Sequence, residues 1–339
     1  MKKIILFILA AIILIGAFGA WKIFGPTVTV PEGKYFYIRT GENYASVKKN
    51  ISEKKIAGGF WLDIVVKRLK YDKKVKPGRY EIKKGMSLFE LVRMLRNGNQ
   101  SPVNFVIIKF RTKEEFAKKS GTLFECDSLE MINYLNNSDS LSKFGLDTTT
   151  VMTAIIPNTY TYFWNNTAKK IFEKLFDESN KFWTEERKQK AADHGLSTKQ
   201  VYILASIVEE ETTKKSDKGN IASVYMNRIA IGMPLQADPT IKYSMKNFEL
   251  RRIYEKYLTY PSPYNTYLNK GLPPGPICTP SVETIDEVLN SPKTNYLYFV
   301  ASSTFDGSHV FTSSYNEHLK KAKEYQKALN ELEAARKSK

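Results

Sequence analysis

The sequence predicts an α+β protein made of an N-terminal transmembrane helix, a small α+β module and a larger α+β domain built around one apolar helix. Three observations carry this. Residues 4 to 21 are an uncharged apolar run long enough to cross a bilayer. Residues 26–102 alternate strand-like aromatic and β-branched segments with short amphipathic stretches. Residues 103–339 are mostly helical in pattern, with one segment, 201–212, whose apolar residues end abruptly in three consecutive glutamates. The expected divisions are therefore 1–25, 26–102 and 103–339.

In the first division, Lys2-Lys3 precede the run from Ile4 to Trp21. Positive flanks stay in the cytoplasm, which puts the rest of the chain outside. A cleaved signal peptide is the rival reading. The run is long for a signal core, and Gly19-Ala20 is followed by Trp21-Lys22 rather than a good cleavage site, so a retained single-pass anchor is expected.

The second division reads as a strand at Lys34 to Arg39, helices at Gly41 to Lys55 and Gly58 to Lys70, and a strand at Lys76 to Ile82 after a Pro-Gly turn. A helix from Ser87 to Leu95 follows, closed by Asn97-Gly98. The third begins with a strand at Val103 to Phe110 and a helical stretch at 112–145 with a polar break at 136–139. A Pro-broken aromatic segment (Ile155 to Trp164) and one long helix over 168–193 follow. Beyond the glutamates, a charged hinge at 214–218 leads to a helix capped by Ser216-Asp217 and ended by Gly232. Asn295 to Val300 reads as a buried strand that turns at Asp306-Gly307 into His309 to Thr312, and a basic helix runs from Ser314 to Lys337.

The segment 201–212 opens with Ser197 and Gln200 at capping-box spacing. At ~100° per residue, with Leu204 as zero, Val201, Ile207 and Val208 lie within about 60°. Glu211 lies about 20° from zero, in the apolar stripe, whereas Glu209 and Glu210 fall about 140° and 120° away on opposite flanks. A carboxyl at the end of a buried face has a raised pKa, as a general acid requires. The plain alternative is a helix end whose glutamates are all solvated.

Composition narrows the chemistry. Lys+Arg 52 against Asp+Glu 35 gives a net +17, which favours an anionic partner. The basic residues are scattered and no nucleic-acid-binding signature occurs, so nucleic acid is not expected as a partner. The histidines, His194, His309 and His318, are dispersed, and no metal site or cofactor is expected. Phosphate and dinucleotide loops and a Gly-x-Ser-x-Gly elbow are absent. Ser46-Lys49 and Ser140-Lys143 match Ser-x-x-Lys at the rate its lysine content produces. Cys126 and Cys278 do not make a disulfide framework. Leu235 to Tyr243, Tyr260 to Tyr267 and Gly271 to Pro276 combine fixed turns with aromatic, amide and hydroxyl side chains, either surface turns or the lining of a carbohydrate groove. What remains is a carboxylic acid in such a groove outside the membrane, where an anionic sugar polymer of bacteria is peptidoglycan.

Gly85-Met-Ser87 resembles the lead-in to the helix of a LysM-type glycan-binding module; a spacer role is the alternative. Across nearly its whole length, the chain resembles the membrane-anchored endolytic murein transglycosylases of the MltG or YceG-like family. The motifs are Ala205-Ser-Ile-Val-Glu-Glu-Glu-Thr212, Ala222-Ser-Val-Tyr-Met-Asn-Arg228, Gly232-Met-Pro-Leu-Gln-Ala-Asp-Pro-Thr240, Tyr264-Asn-Thr-Tyr267, Gly271-Leu-Pro-Pro-Gly-Pro-Ile277 and Tyr296-Leu-Tyr-Phe-Val300. The resemblance implies Glu211 as the catalytic residue, carried on the central helix. Candidate substrate-binding residues are Glu209, Asn227, Gln236, Asp238, Thr240, Tyr243, Tyr264, Asn265, Thr266 and Tyr267. It also implies peptidoglycan strands as substrate, cleavage of nascent strands at the outer face of the cytoplasmic membrane, and peptidoglycan synthases as candidate partners. A hydrolytic muramidase, with Glu209 or Asp238 as second carboxylate, and a non-catalytic glycan-binding scaffold are the alternatives. Two departures stand out. Asn158 replaces an Asp frequent in the family, and Glu210 replaces a frequent Lys, adding a negative charge expected to raise the pKa of Glu211 further.

Overall fold

This computed structural model describes residues 2–250 and 252–337; Met1, at the tip of the expected anchor, Arg251, Ser338 and Lys339 lie outside the described residues. In chain order the elements are α1 (Lys2–Phe24), β1 (Tyr35–Ile38), α2 (Tyr44–Glu53), α3 (Gly59–Leu69), β2 (Gly78–Glu81), α4 (Leu88–Asn97) and β3 (Val103–Val106). They continue with α5 (Lys113–Leu123), α6 (Ser128–Leu135), α7 (Ser138–Ser142), β4 (Thr159–Tyr162), α8 (Ala168–Phe182), α9 (Glu185–Asp193), α10 (Thr198–Glu211) and α11 (Lys215–Ala230). Last come α12 (Asp238–Ser244), α13 (Glu255–Leu258), α14 (Val282–Leu289), β5 (Tyr298–Ala301), β6 (His309–Thr312) and α15 (Tyr315–Lys337). The chain divides into two compact units, one of Met1–Phe105, Ser120–Asp127 and Tyr160–Thr167, the other of Val106–Lys119, Ser128–Thr159 and Ala168–Lys339. Helices and small two-stranded antiparallel sheets make a mixed fold.

In the first unit, β1 and β2 pair antiparallel, Tyr35 opposite Glu81 and Ile38 opposite Gly78. Period-two alternation sends Phe36, Ile38 and Tyr80 inward, onto Val47, Ile51, Leu62, Val65, Leu91 and Leu95 from the helices. α4 starts on a capping box, the Ser87 hydroxyl accepting from the Glu90 amide while the Glu90 carboxylate accepts from the Ser87 amide. It stops at Gly98 in the left-handed region (φ 74°), where glycine carries no Cβ penalty. α1 is 23 residues long and apolar enough to cross a membrane.

The second unit packs around α10. Residues 201–208 are all buried, so the helix is enclosed on every side rather than along one stripe. α11 and α14 cover it, and Ile277 closes one end by donating its amide to Ser206 Oγ at 3.0 Å. Several expectations need correction. The helix expected over 168–193 breaks at Trp183, which is buried, and restarts after Thr184, whose hydroxyl caps α9 by accepting from the Arg187 amide. The charged segment 214–218 is mostly the first turn of α11, not a hinge. Two of its charges are buried with partners: Asp217 accepts from the His309 amide at 2.7 Å, and Lys218 donates to Thr284 at 2.7 Å. The 295–300 strand is shorter, starts later and is only partly buried, as half of a β5–β6 hairpin. Within the Gly-Leu-Pro-Pro-Gly-Pro loop, Gly275 approaches so closely that a Cβ would sit 2.0 Å from the Thr149 carbonyl oxygen.

Candidate active site

The three glutamates that close α10 meet three different environments. A helix C-terminus carries the negative end of the macrodipole, so each carboxylate there needs compensation. Glu209 has it: its carboxylate accepts from Ser281 Oγ at 3.0 Å and from the Thr284 hydroxyl, and lies 3.5 Å from the buried Lys218 ammonium. Glu210 has it too, with Lys109 at 2.9 Å and Arg111 at 3.2 Å. Burial pushes its pKa up, but the hydrogen bonds and charges of Lys109 and Arg111 outweigh this and leave it below the usual carboxylate range. Glu211 is in no ion pair among the described residues. Among the described residues its carboxyl has one hydrogen bond, from Tyr225 on α11, whose hydroxyl donates to Oε1 at 2.5 Å.

Burial pushes the Glu211 carboxyl up to about 7; the Tyr225 hydrogen bond opposes this, and the negative charge of Asp238 adds to it. The expectation that Glu210 would supply that charge is therefore corrected: Glu210 is neutralised by its own cations, and Asp238 is the neighbour that matters. Tyr225 itself is driven well above its ordinary pKa, by burial first and then by the adjacent carboxyl, so it stays a donor.

Glu211 opens on a cavity of about 300 Å³ lined by Tyr225, Arg228, Leu235, Gln236, Asp238, Tyr267, Phe299 and His318. α10 supplies Glu211, α11 supplies Tyr225 and Arg228, and the start of α12 supplies Asp238. The wall is fixed by hydrogen bonds. Asp238 accepts from the Tyr267 hydroxyl at 2.6 Å. Asn265 holds that turn, donating its amide to the carbonyls of Leu258 and Tyr260 and accepting from the Tyr267 backbone. Thr266 accepts from the Ala237 amide at 3.0 Å and meets the Thr240 hydroxyl at 2.9 Å. Between these, Gln236 sits at φ 53°, a conformation that costs roughly 1 kcal/mol or more for a side-chain-bearing residue. Arg228 is buried and donates to the carbonyls of Leu235 and Leu297, a cation built into the wall.

The structure thus brings Glu211, Gln236, Asp238 and Tyr267 together. Thr240, Asn265 and Thr266 are buried beneath them, their polar groups used within the protein. Asn227 is likewise occupied, donating to the carbonyls of Thr294 and Tyr296. Tyr243 and Tyr264, 4.7 Å apart between rings, line a second cavity of about 290 Å³ with Lys113, Thr148 and Lys246. Glu209 and Asn158 line a third, of about 460 Å³. Tyr225 was not among the sequence candidates, although it lies among the buried apolar residues Ile221, Ala222 and Val224 of α11. A tyrosine in such a setting must find a partner for its hydroxyl, and that was the available signal. Arg228 and Phe299 lay within the family motifs without being singled out, and His318 lay outside them.

A family profile described as YceG-like matches residues 36–324. The chain belongs to the YceG-like family. Over 177 residues it is 37% identical to the endolytic murein transglycosylase of Bacillus subtilis, an alignment covering 52% of this chain and 48% of that protein. Over 285 residues it is 27% identical to the endolytic murein transglycosylase of Streptococcus pneumoniae R6, covering 74% of this chain and 51% of that one. The chain spans about half the length of these curated relatives. In fold it is similar to the crystal structure of a YceG-like protein from Listeria monocytogenes, with a TM-score of 0.55 at 24% identity, covering 85% of this chain and 99% of that one.

Proposed function

We propose that the chain is a membrane-anchored endolytic murein transglycosylase and that Glu211 is its general acid and base. The observation that carries this reading is a single carboxyl, held near pKa 7, that opens on a cavity and has no ion-pair partner among the described residues. Protonated Glu211 donates its proton to the oxygen linking N-acetylmuramic acid to N-acetylglucosamine. The C1–O bond breaks, leaving an oxocarbenium-like sugar and a free hydroxyl on the departing residue. The carboxylate then takes the proton of the muramyl C6 hydroxyl as that oxygen attacks C1. A 1,6-anhydro end forms, the acid is regenerated and no water is consumed. One carboxylate suffices because the nucleophile belongs to the substrate, whereas hydrolysis needs a second carboxylate. Tyr225 holds Oε1, and Gln236, Asp238 and Tyr267 supply polar contacts to the sugars. α10 is on this reading the catalytic helix, and residues 26–102 are a LysM-like glycan-binding module. α1 is the single-pass anchor, with residues 26–339 on the outer side of the cytoplasmic membrane, within reach of nascent strands and of the synthases that make them.

A hydrolytic muramidase is the second reading, favoured by Asp238 in the same cavity. Mass spectrometry of products from uncrosslinked glycan strands separates the two. The transglycosylase leaves 1,6-anhydro ends, and Glu211→Gln abolishes them, with a loss of at least about 100-fold. Reducing ends instead make the protein a hydrolase. Strand binding without cleavage makes it a scaffold.

A further inference from the structure

The N-terminal unit packs against α1 inside the apolar run, not beyond its end. Gly19 is buried against the Trp61 indole of α3; a Cβ at Gly19 would sit 2.8 Å from that ring. Phe18 meets the same indole edge-on at 6.3 Å. One face over, Phe24 lies 5.4 Å from Phe89 of α4. Next to Trp61, Phe60 is 69% exposed, although it sits in the first turn of an otherwise well-packed helix.

Gly19 lies five residues before the end of α1, about 7 Å along the axis at ~1.5 Å per residue. A 23-residue helix is about 35 Å long, against about 30 Å of hydrocarbon. A side chain seated on Gly19 therefore lies at the edge of the hydrocarbon layer, not in the water above it. The residues around it suit that depth. Aromatic rings are accompanied by cations, with Lys22 Nζ 5.2 Å from the Trp21 ring and the Arg93 guanidinium 5.5 Å from Phe89. Amphipathic aromatics with Lys and Arg are the composition of the membrane interface.

We propose that the exposed Phe60, backed by Trp61 and Phe89 where they pack on α1, is the tip of a lipid-facing wedge that seats the N-terminal unit in the headgroup layer of the bilayer crossed by α1. This rests on the reading of α1 as a membrane span and goes beyond it: the anchor is a rigid mount with a fixed approach to the membrane rather than a tether. The occupant is a phospholipid interface, continuous with the exposed apolar surface of α1.

The test uses the full chain in phosphatidylcholine–phosphatidylglycerol vesicles, labelled at one introduced cysteine with an environment-sensitive fluorophore. The native cysteines are buried. Three sites are compared: Phe60→Cys in the wedge, Ile12→Cys in mid-α1, and Lys49→Cys on the exposed side of α2. Phe60 is exposed, so its replacement spares the core. Expected is quenching at Phe60 by lipids spin-labelled near the headgroup, several-fold stronger than at Lys49, with quenching at Ile12 by lipids labelled deep in the acyl chain. Quenching at Ile12 with Phe60 open only to aqueous iodide overturns the wedge and leaves the anchor standing. No lipid quenching at Ile12 overturns the span and the wedge together. Equal quenching at Phe60 and Lys49 overturns the fixed orientation.

Discussion

Three adjacent glutamates differ chemically because of what each side chain meets. Glu209 and Glu210 are compensated by cations, and Glu211 by a single phenol. With Glu211 raised to about 7 and acting as the acid, kcat/KM should fall as pH rises through about 7. Tyr225→Phe removes a hydrogen bond that favours the ionised carboxyl, so this alkaline limb should move to higher pH. A pH–rate profile of the variant beside the unaltered protein checks the direction. The same shift has a stability consequence. The folded carboxyl stays protonated up to about 7, against an ordinary 4.5, so the native state binds the extra proton between those values. Its stabilising effect is complete below pH 4.5 and is lost as pH rises to about 7. The difference corresponds to about 3 kcal/mol. Glu211→Gln, which has no proton to lose, should become progressively more stable than the unaltered protein over that window and level off above it. Denaturant melts at several pH values read this directly. A flat difference would mean that the carboxyl is solvated.

At the scale of elements, α10, α11 and α14 are locked by buried charge as well as by apolar packing. Lys218 of α11 lies 5% exposed, bonded to Thr284 of α14 and 3.5 Å from Glu209 of α10. Removing one partner of a buried pair leaves the other uncompensated. Lys218→Ala should therefore cost about 3 kcal/mol, and the Glu209→Ala, Lys218→Ala pair should cost less than the sum of the single changes, as measured in a double-mutant cycle. Strict additivity would show that the ammonium and the carboxylate do not interact. Local signals located the elements well where caps and periodicity agree, as at Ser87–Gly98 and Ser197–Glu211. They misjudged 214–218, because a run of charges reads as solvated loop unless its buried partners, Thr284 and His309, are known. They also ran α8 and α9 together, because Trp183 fits the helical period although it marks the break.

For the whole molecule, the +17 net charge offers a long-range attraction to the carboxylates of peptidoglycan or to anionic lipid, screened beyond about 10 Å at 0.1 M salt. Binding of glycan strands to the Glu211→Gln protein should weaken steadily as salt is raised. An affinity independent of salt would assign recognition to the neutral groups of the cavity. The sequence by itself determined the apolar helix, the mixed α+β class and the family motifs, because each depends on period, caps and residue type over a few turns. Only the tertiary structure decided which candidates share a cavity. Asp238 and Tyr267 reach Glu211 because α12 and the 260–267 turn are pinned there by Asn265 and Thr266, whereas Tyr243 and Tyr264 line a separate cavity. It also decided the partner of Glu211. Tyr225 is fourteen residues further on, and a hydrogen bond between two helices has no local signature in either.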